Sequence, residues 1–204
     1  DLRGADLRGV RFLALADYVD TSRDAPRAAY AQAERRLIEA GATVERRTVD
    51  AVETAMALAG PLFTPEAYGT WREAIEADPE AMFPPIRERF RGGRDHSGPD
   101  VMAAWRSLRD ARRVYLAETA GYDAVILPTA MLLPPDRERL LTDEAYYVEE
   151  NLAALRNTRI GNLMGLCGLT LPTGVPSCGV MALAPPMHEE RLLRLGAAME
   201  RALA

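Results

Sequence analysis

The stretch YDAVILPTA at residues 122–130 carries the clearest strand signal in the 204-residue chain. Ala124 to Leu127 form a continuous apolar run, which is typical of a central strand covered on both faces. Pro128 ends the run because a proline has no N–H to donate to a strand ladder. Thr129 follows directly, and ligands of open α/β sheets bind beyond the carboxyl ends of strands. The stretch therefore predicts a buried strand that ends at the edge of a pocket.

Residues 10–50 predict a β-α-β unit with parallel strands. The segment VRFLALA at 10–16 is short and mostly apolar, and ATVERRTVD at 42–50 alternates in polarity. Between them, an amphipathic helix is bounded by Asp24 as its cap and by Gly41 at its end. Such a crossover is expected to be right-handed.

Two further segments predict helices. Residues 187–204 form one amphipathic pattern, which indicates a single C-terminal helix. Residues 51–120 form several helical patterns that prolines and glycines separate. These helices are expected to begin near Ala51, Thr64, Pro79 and Ser97.

Residues 121–186 predict the central strand followed by a pocket segment. A polar loop at 131–145 leads into a helical stretch in two pieces, and two strands complete the segment. The strands are LTLPTG at 169–174 and CGVMALAP at 178–185, joined by a tight turn. Together with the β-α-β unit, these elements predict an α/β fold: a mixed β-sheet covered by helices.

Composition and charge argue against several classes of function. The net charge of −5 at pH 7 does not favour binding to nucleic acid or to an anionic membrane. No apolar run approaches the roughly 20 residues of a membrane span, and no signal peptide is evident, so we expect a cytoplasmic protein. Two cysteines, Cys167 and Cys178, are expected as free buried thiols rather than a disulfide.

The inventory of catalytic side chains is small. All 25 basic residues are arginine, so a lysine base and a Schiff base are both excluded within these residues. Ser177 lies in GVPSCG, whose spacing differs from the G-x-S-x-G of a nucleophile elbow, and a turn is expected there. His96, His188 and the two cysteines show no metal-ligand spacing, so neither a metal nor another cofactor is expected.

The segment RNTRIGN at 156–162 is a candidate binding motif. It places Arg156 and Arg159 one helical turn apart, followed by Asn162. A guanidinium group binds carboxylate or carbonyl groups through two donors. The alternative is a surface helix end, where arginines lie near the negative pole of the helix. Both interpretations stay open at this point.

Taken in chain order, the segments resemble the C-terminal half of the amidase signature family, whose members hydrolyse amide C–N bonds with a serine, a second serine in a cis peptide, and a lysine. The resemblance covers nearly the whole chain, so residues 1–204 are expected to form the C-terminal part of one amidase domain. The segment RNTRIGNLMGLCGLTLPTG is most similar to the branch that acts on small urea-like substrates, the carboxybiuret and allophanate hydrolases. The segments that carry the resemblance are DLRGVRFLALAD at 6–17, AERRLIEAGATVE at 33–45, the run from 100 to 130 that ends in ILPTA, NLMGLCGLTLPTG at 162–174, and CGVMALAP at 178–185.

The resemblance implies an amidase whose catalytic residues lie outside this segment. The family's lysine and its Gly-Ser-Ser-Gly segment belong to the N-terminal half, and this sequence has neither a lysine nor a Ser-Ser pair. We therefore expect no catalytic residue here, and a pocket wall whose substrate-binding candidates are Thr129, Asn162, Arg156 and Arg159. The expected partners are the N-terminal half of the same protein and a small amide or urea-like substrate, with a homodimer or a small accessory subunit also open.

The sequence departs from the family pattern in several places. The family's G-l-P-a is Gly165-Leu166-Cys167-Gly168 here, and its P-T-x-P ends in Met131. The last two strands are joined so closely that residues could be missing near 174–179. The doubled Asp-Leu-Arg-Gly of residues 1–9 does not continue as a repeat, and its first copy is expected to belong to a connection from a preceding segment.

Two alternatives to an amidase remain at this stage. The chain could be a non-catalytic amidase-like subunit or scaffold that acts through protein–protein contacts. It could also be a separate ligand-binding α/β module with closed sheet edges. A lysine and a Ser-Ser pair in a preceding sequence would exclude the non-catalytic subunit. The separate module predicts a stable monomer, whereas the amidase predicts a large exposed apolar face where the N-terminal half docks.

Overall fold

The computed structural model describes residues 2–204, so residue 1 of the doubled N-terminal stretch lies outside the described residues. The chain forms two units. The first contains the residues up to Val49 together with Tyr115–Ala204, and the second contains Asp50–Val114.

Within residues 2–204, five strands form one mixed sheet in the first unit. Their order across the sheet is β2-β1-β3-β5-β4, with β1 parallel to both β2 and β3 and with β5 antiparallel to both β3 and β4. The α/β class with a mixed sheet is thereby confirmed. The strands are β1 (Arg11–Leu15), β2 (Thr43–Arg47), β3 (Ala124–Pro128), β4 (Cys167–Pro172) and β5 (Gly179–Ala184).

Helices connect these strands and make up the second unit. The first unit contains α1, α2, α7, α8 and α9, while α3, α4 and α5 belong to the second, and the long α6 begins in the second and ends in the first. Two short 3-10 turns, Pro79–Ala81 and Gly92–Asp95, flank α5. The bounds are α1 (Ala16–Asp20), α2 (Asp24–Glu39), α3 (Asp50–Met56), α4 (Ala59–Ala77), α5 (Pro84–Arg91), α6 (Gly98–Thr119), α7 (Arg137–Thr142), α8 (Glu144–Met164) and α9 (Glu189–Leu203).

Both faces of the central strand β3 are covered. One face of the sheet packs against the apolar sides of α2 and α9, and Phe12, Ile126 and Met199 are fully buried there. On the other face, α8 packs against the sheet, and a Cβ added at Gly161 would contact Leu183 at 3.4 Å. Every residue of β3 is therefore buried, as its continuous apolar run predicts.

Two predicted boundaries in the pocket segment were wrong. The stretch expected as a helix in two pieces is the single helix α8, because burial of its apolar face outweighs the low helix propensity of Gly161. The helix ends instead at Gly165, whose φ of 68° is the left-handed conformation of a C-terminal cap. The loop expected at 131–145 contains α7, whose first turn is capped by the Asp136 carboxylate at 2.8 Å from the Arg139 amide.

Two helix starts also differ from expectation. Helix α4 begins at Ala59 rather than near Thr64, because Pro61 lies in its first turn, where an N–H has no partner to lose. The N-cap of α2 is Arg23 rather than Asp24. Asp24 is instead the first helical residue, and its carboxylate lies 2.6 Å from the Arg27 guanidinium.

Candidate active site

An open cleft of about 640 Å³ lies at the carboxyl end of β3. This is the edge of the sheet where α/β proteins bind ligands. Its walls are the residues that follow β3, the second half of β4 and the turn between β4 and β5. The lining residues are Thr129, Ala130, Thr170, Leu171, Pro172 and the run 174–179.

Thr129 is held by two contacts to neighbouring strands. Its backbone N–H donates to the Gly179 carbonyl at 2.9 Å, which extends the pairing of β3 with β5 by one residue. Its hydroxyl donates to the Thr170 hydroxyl at 3.3 Å. The fold thus brings two hydroxyl groups from distant parts of the sequence together on the wall of the cleft.

The hydroxyl pair depends on the glycine beneath it. A Cβ at Gly179 would lie 2.8 Å from Thr129 Oγ1 and 3.0 Å from Thr170 Cγ2, and both distances are closer than ordinary packing permits. Glycine is therefore required at this position by close approach, although its φ is not unusual. Any side chain here would displace the threonines.

The turn between β4 and β5 is organised by one buried threonine. The Thr173 hydroxyl donates to the Cys178 carbonyl at 2.9 Å and accepts from the Val175 amide at 3.3 Å. Ser177 adopts a left-handed φ of 60° and is exposed at the turn. The strand–turn–strand context confirms that Ser177 does not lie on the strand-to-helix turn of a nucleophile elbow.

Both cysteines are free thiols. Cys178 is buried beside the cleft, and burial raises the pKa of its thiol. Because the thiolate is the reactive form, a raised pKa makes Cys178 a weak nucleophile at neutral pH. In residues 2–204, no group of three or more potential metal-ligating side chains is assembled.

Arg156 contacts a different part of the sheet edge. Its guanidinium lies 4.3 Å from the centre of the Tyr18 ring and donates to the Thr21 hydroxyl at 2.6 Å. It also approaches the Met131 sulfur at 3.9 Å. These contacts attach α8 to the turn that follows α1, and Arg156 does not line the cleft.

Arg159 and Asn162 lie further along α8 and are also absent from the lining of the cleft. Arg159 is half-buried and Asn162 is exposed. The Asn162 carbonyl accepts a hydrogen bond from the Gly165 amide at 3.3 Å, at the end of the helix. The structure therefore brings Thr129 to the cleft, while substrate binding by all four residues stays a prediction.

Sequence analysis missed Asn157, which is completely buried within the RNTRIGN motif. Its side-chain amide donates to the Pro128 carbonyl at 2.7 Å, one residue before Thr129. A signal for this residue was present, because Asn157 shares the buried face of α8 with Ile160 and Met164. A polar residue on an apolar helix face needs a hydrogen-bond partner, and the strand end supplies one.

Glu150 is a second polar residue that the sequence did not single out. It is 2% exposed, and its carboxylate is paired with the two terminal nitrogens of Arg23. The Arg23 backbone N–H donates to the Met131 carbonyl at 2.8 Å. The segment from Pro128 to Met131 is thus held from both ends by groups on α8 and on the turn before α2.

The structure resembles solved amidases over nearly its whole length. A crystal structure of an amidase matches 98% of this chain with a TM-score of 0.79 at 20% identity, and the match covers 47% of that protein. The allophanate hydrolase of Kluyveromyces lactis matches 98% of this chain with a TM-score of 0.79 at 14% identity, covering 33% of that protein. The chain therefore has the fold of the amidase signature enzymes, and the predicted resemblance is confirmed.

A sequence relative is consistent with this fold. The 2-amino-5-chloromuconic acid deaminase of Comamonas testosteroni is 28% identical to the chain over 179 residues, which are 85% of this chain and 38% of that protein. No protein-family model matches the sequence. The chain spans less than half the length of each of these similar proteins. In the described part of the chain, no helix is both long enough and apolar enough to cross a membrane.

Proposed function

We propose that the chain is part of an amidase that hydrolyses a carboxamide or urea-like C–N bond through an acyl-enzyme. The observation that carries the proposal is the cleft with paired hydroxyls at Thr129 and Thr170, placed at the carboxyl end of the central strand of an amidase fold. The sequence relative, named as a deaminase, also supports the release of nitrogen from a small molecule.

The chemical step needs residues that these 204 do not contain. In the mechanism that the resemblance implies, a lysine deprotonates a bridging serine, which in turn activates the nucleophilic serine. The serine oxygen bonds to the carbonyl carbon, the C–N bond breaks and the amine leaves with a proton. Water then cleaves the ester and releases the acid. Because the sequence has no lysine, we assign this machinery to a preceding half of the same protein.

The cleft favours a small neutral group as its ligand. None of its lining residues carries a carboxylate or a guanidinium, and apart from Thr129, Thr170 and Ser177 the side chains are apolar or absent. A hydroxyl can donate to a carbonyl oxygen or accept from an amide N–H. The pair therefore suits the amide or ureido end of a substrate, and Thr129 is assigned to bind it.

The test is a substrate assay on the complete protein. Release of ammonia would be measured with simple carboxamides, allophanate, carboxybiuret and 2-aminomuconic acids, the last because of the Comamonas relative. We expect turnover of at least one of these compounds, and a transient mass increase of the protein that corresponds to the acyl-enzyme. Mutation of the upstream lysine should abolish both signals.

Absence of ammonia release would favour the alternative, a non-catalytic amidase-like subunit. If the complete protein lacks an upstream lysine and Ser-Ser pair and releases no ammonia from any compound, it acts as a non-catalytic amidase-like subunit. A co-purifying partner whose activity depends on the chain would then identify the scaffold role.

A further inference from the structure

The buried side chain of Asn157 is oriented by a contact to the strand that carries the cleft. Its Nδ2 donates to the carbonyl of Pro128 at 2.7 Å, and Pro128 is the last residue of β3. Because a proline has no N–H, this carbonyl is the only backbone hydrogen-bonding group at that position. A buried carbonyl without a partner is costly, so the Asn157 amide stabilises this end of the strand.

The other end of the same side chain is unusual. Among residues 2–204, Asn157 Oδ1 has no hydrogen-bond partner, although the residue is 0% exposed. Burial of an unpartnered acceptor opposes folding. The penalty at Oδ1 offsets part of what the bond to the Pro128 carbonyl contributes, so stability alone is an incomplete account of this residue.

The position of Asn157 suggests what it contributes instead. Pro128 directly precedes Thr129, whose N–H is bonded to Gly179 on the opposite side of the strand. The Pro128 carbonyl is thus bonded to α8, and the Thr129 N–H on the other side of the same peptide is bonded to β5. Two such contacts fix the peptide plane between them, and with it the direction of the Thr129 side chain.

We infer that Asn157 is a positioning residue that holds the end of β3 so that the Thr129 hydroxyl stays in the cleft. The inference rests on the proposed amidase function for its catalytic consequence, but its structural consequence is independent of that function. Asn157 itself does not line the cleft, so it acts through Thr129.

The structural consequence is tested by hydrogen–deuterium exchange in the complete protein. In Asn157→Leu, we expect the Thr129 amide to exchange at least tenfold faster, because the strand end loses one of the two hydrogen bonds that fix it. Ile160→Val is the matched control: it removes one buried methylene from the same face of α8 without touching Pro128. Asn157→Ser, whose shorter side chain does not reach the carbonyl, should reproduce the effect if the leucine variant does not fold.

The catalytic consequence is tested with a double-mutant cycle. Asn157→Leu and Thr129→Val should each lower kcat/KM about three- to tenfold, mainly through KM. The double variant should be little worse than Thr129→Val alone, because Asn157 acts through that hydroxyl. If the variants lowered kcat/KM only through loss of stability, the losses of the two single variants would multiply in the double variant. Ile160→Val would then show a similar loss.

The two experiments distinguish failure of the positioning role of Asn157 from failure of the proposed amidase function. Unchanged exchange at Thr129 together with independent effects in the cycle would overturn the role of Asn157. Faster exchange in Asn157→Leu, with no turnover by the wild-type protein, would retain the positioning role and reject the amidase.

Discussion

The hydroxyl oxygens of Thr129 and Thr170 lie 3.3 Å apart, directly over Gly179. Thr129 follows one strand, Thr170 lies on another, and the glycine belongs to the strand between them. The pair is therefore a product of the sheet and not of any local motif. Its position on the wall of the cleft at the end of β3 makes it the best target for testing the proposed function.

Removal of the Thr129 hydroxyl should weaken substrate binding. Thr129→Val preserves the shape of the side chain but removes one hydrogen bond, which is worth about 0.5–1.5 kcal/mol and thus roughly two- to tenfold in KM. Steady-state kinetics of the complete protein would measure this change. Thr142→Val is the matched control, because Thr142 is exposed on α7 and its hydroxyl only contacts the Glu138 carbonyl. A KM that stays unchanged in Thr129→Val would remove Thr129 from the binding site.

A side chain at Gly179 should disrupt the cleft. In Gly179→Ala, the new methyl group would collide with the hydroxyl of Thr129 and the methyl of Thr170, so we expect a loss of about 1–3 kcal/mol in unfolding free energy. Activity should fall along with it. Urea titration and kinetics on the same preparation would measure the two effects.

Two variants make the result for Gly179 specific. Gly69→Ala places a methyl group where nothing lies within 4 Å, and it should be neutral or slightly stabilising in α4. Combining Gly179→Ala with Thr129→Ala removes the closest collision and should restore part of the stability. A double variant as unstable as the sum of both changes would show that the hydroxyl is not the obstacle.

Arg156 should contribute to stability through Tyr18 and Thr21. Its guanidinium stacks on the Tyr18 ring and donates to the Thr21 hydroxyl, so Arg156→Met should lower the unfolding free energy by about 1 kcal/mol. Tyr18→Leu should cost more, because Tyr18 is also part of the core, and the loss in the double variant should be smaller than the sum of the two single losses. A KM raised more than tenfold with stability unchanged would instead assign Arg156 to the substrate, as its place in the RNTRIGN motif first indicated.

Glu34 should give the fold a measurable pH dependence. Burial raises the pKa of this carboxyl above its ordinary value of 4.5, and the Arg46 guanidinium 3.9 Å away offsets only part of the effect. The folded state therefore binds the proton more tightly than the unfolded state, and stability decreases as the pH rises through the raised pKa. Glu34→Gln should increase the melting temperature at pH 7, and the difference should disappear below pH 4.5.

A matched substitution checks that this effect comes from burial. Glu39→Gln removes a charge from the exposed end of the same helix. Melting curves of both variants between pH 4 and pH 8 would be compared with the wild type. Equal pH profiles for the two variants would contradict the assignment to Glu34.

Local patterns were sufficient for most of the secondary structure. The continuous apolar run at Ala124–Leu127 predicted a covered strand, the alternation in β2 predicted a second, and the segment CGVMALAP predicted the strand that became β5. Patterns failed where packing outweighs propensity. Gly161 does not break α8, because burial of the apolar face of the helix outweighs the low helix propensity of one glycine.

The candidate site was only partly predictable. Thr129 could be placed at the pocket edge from its position after a strand. Thr170 could not, because a threonine within a strand has no local signal for the neighbour it will meet. Asn157 carried a signal of a different kind, a polar residue on an apolar helix face, but the sequence does not say which carbonyl it binds.

The sequence by itself determined the class of fold and the order in which strands and helices follow one another along the chain. It also determined the absence of a lysine among these 204 residues. These properties follow from composition and from periodicity, which act between residues close together in the chain. Only the tertiary structure decided that Thr129 meets Thr170 over Gly179, and that Asn157 reaches Pro128. Those contacts join residues 29 to 41 positions apart, and they form because the sheet places its strand ends side by side against one helix.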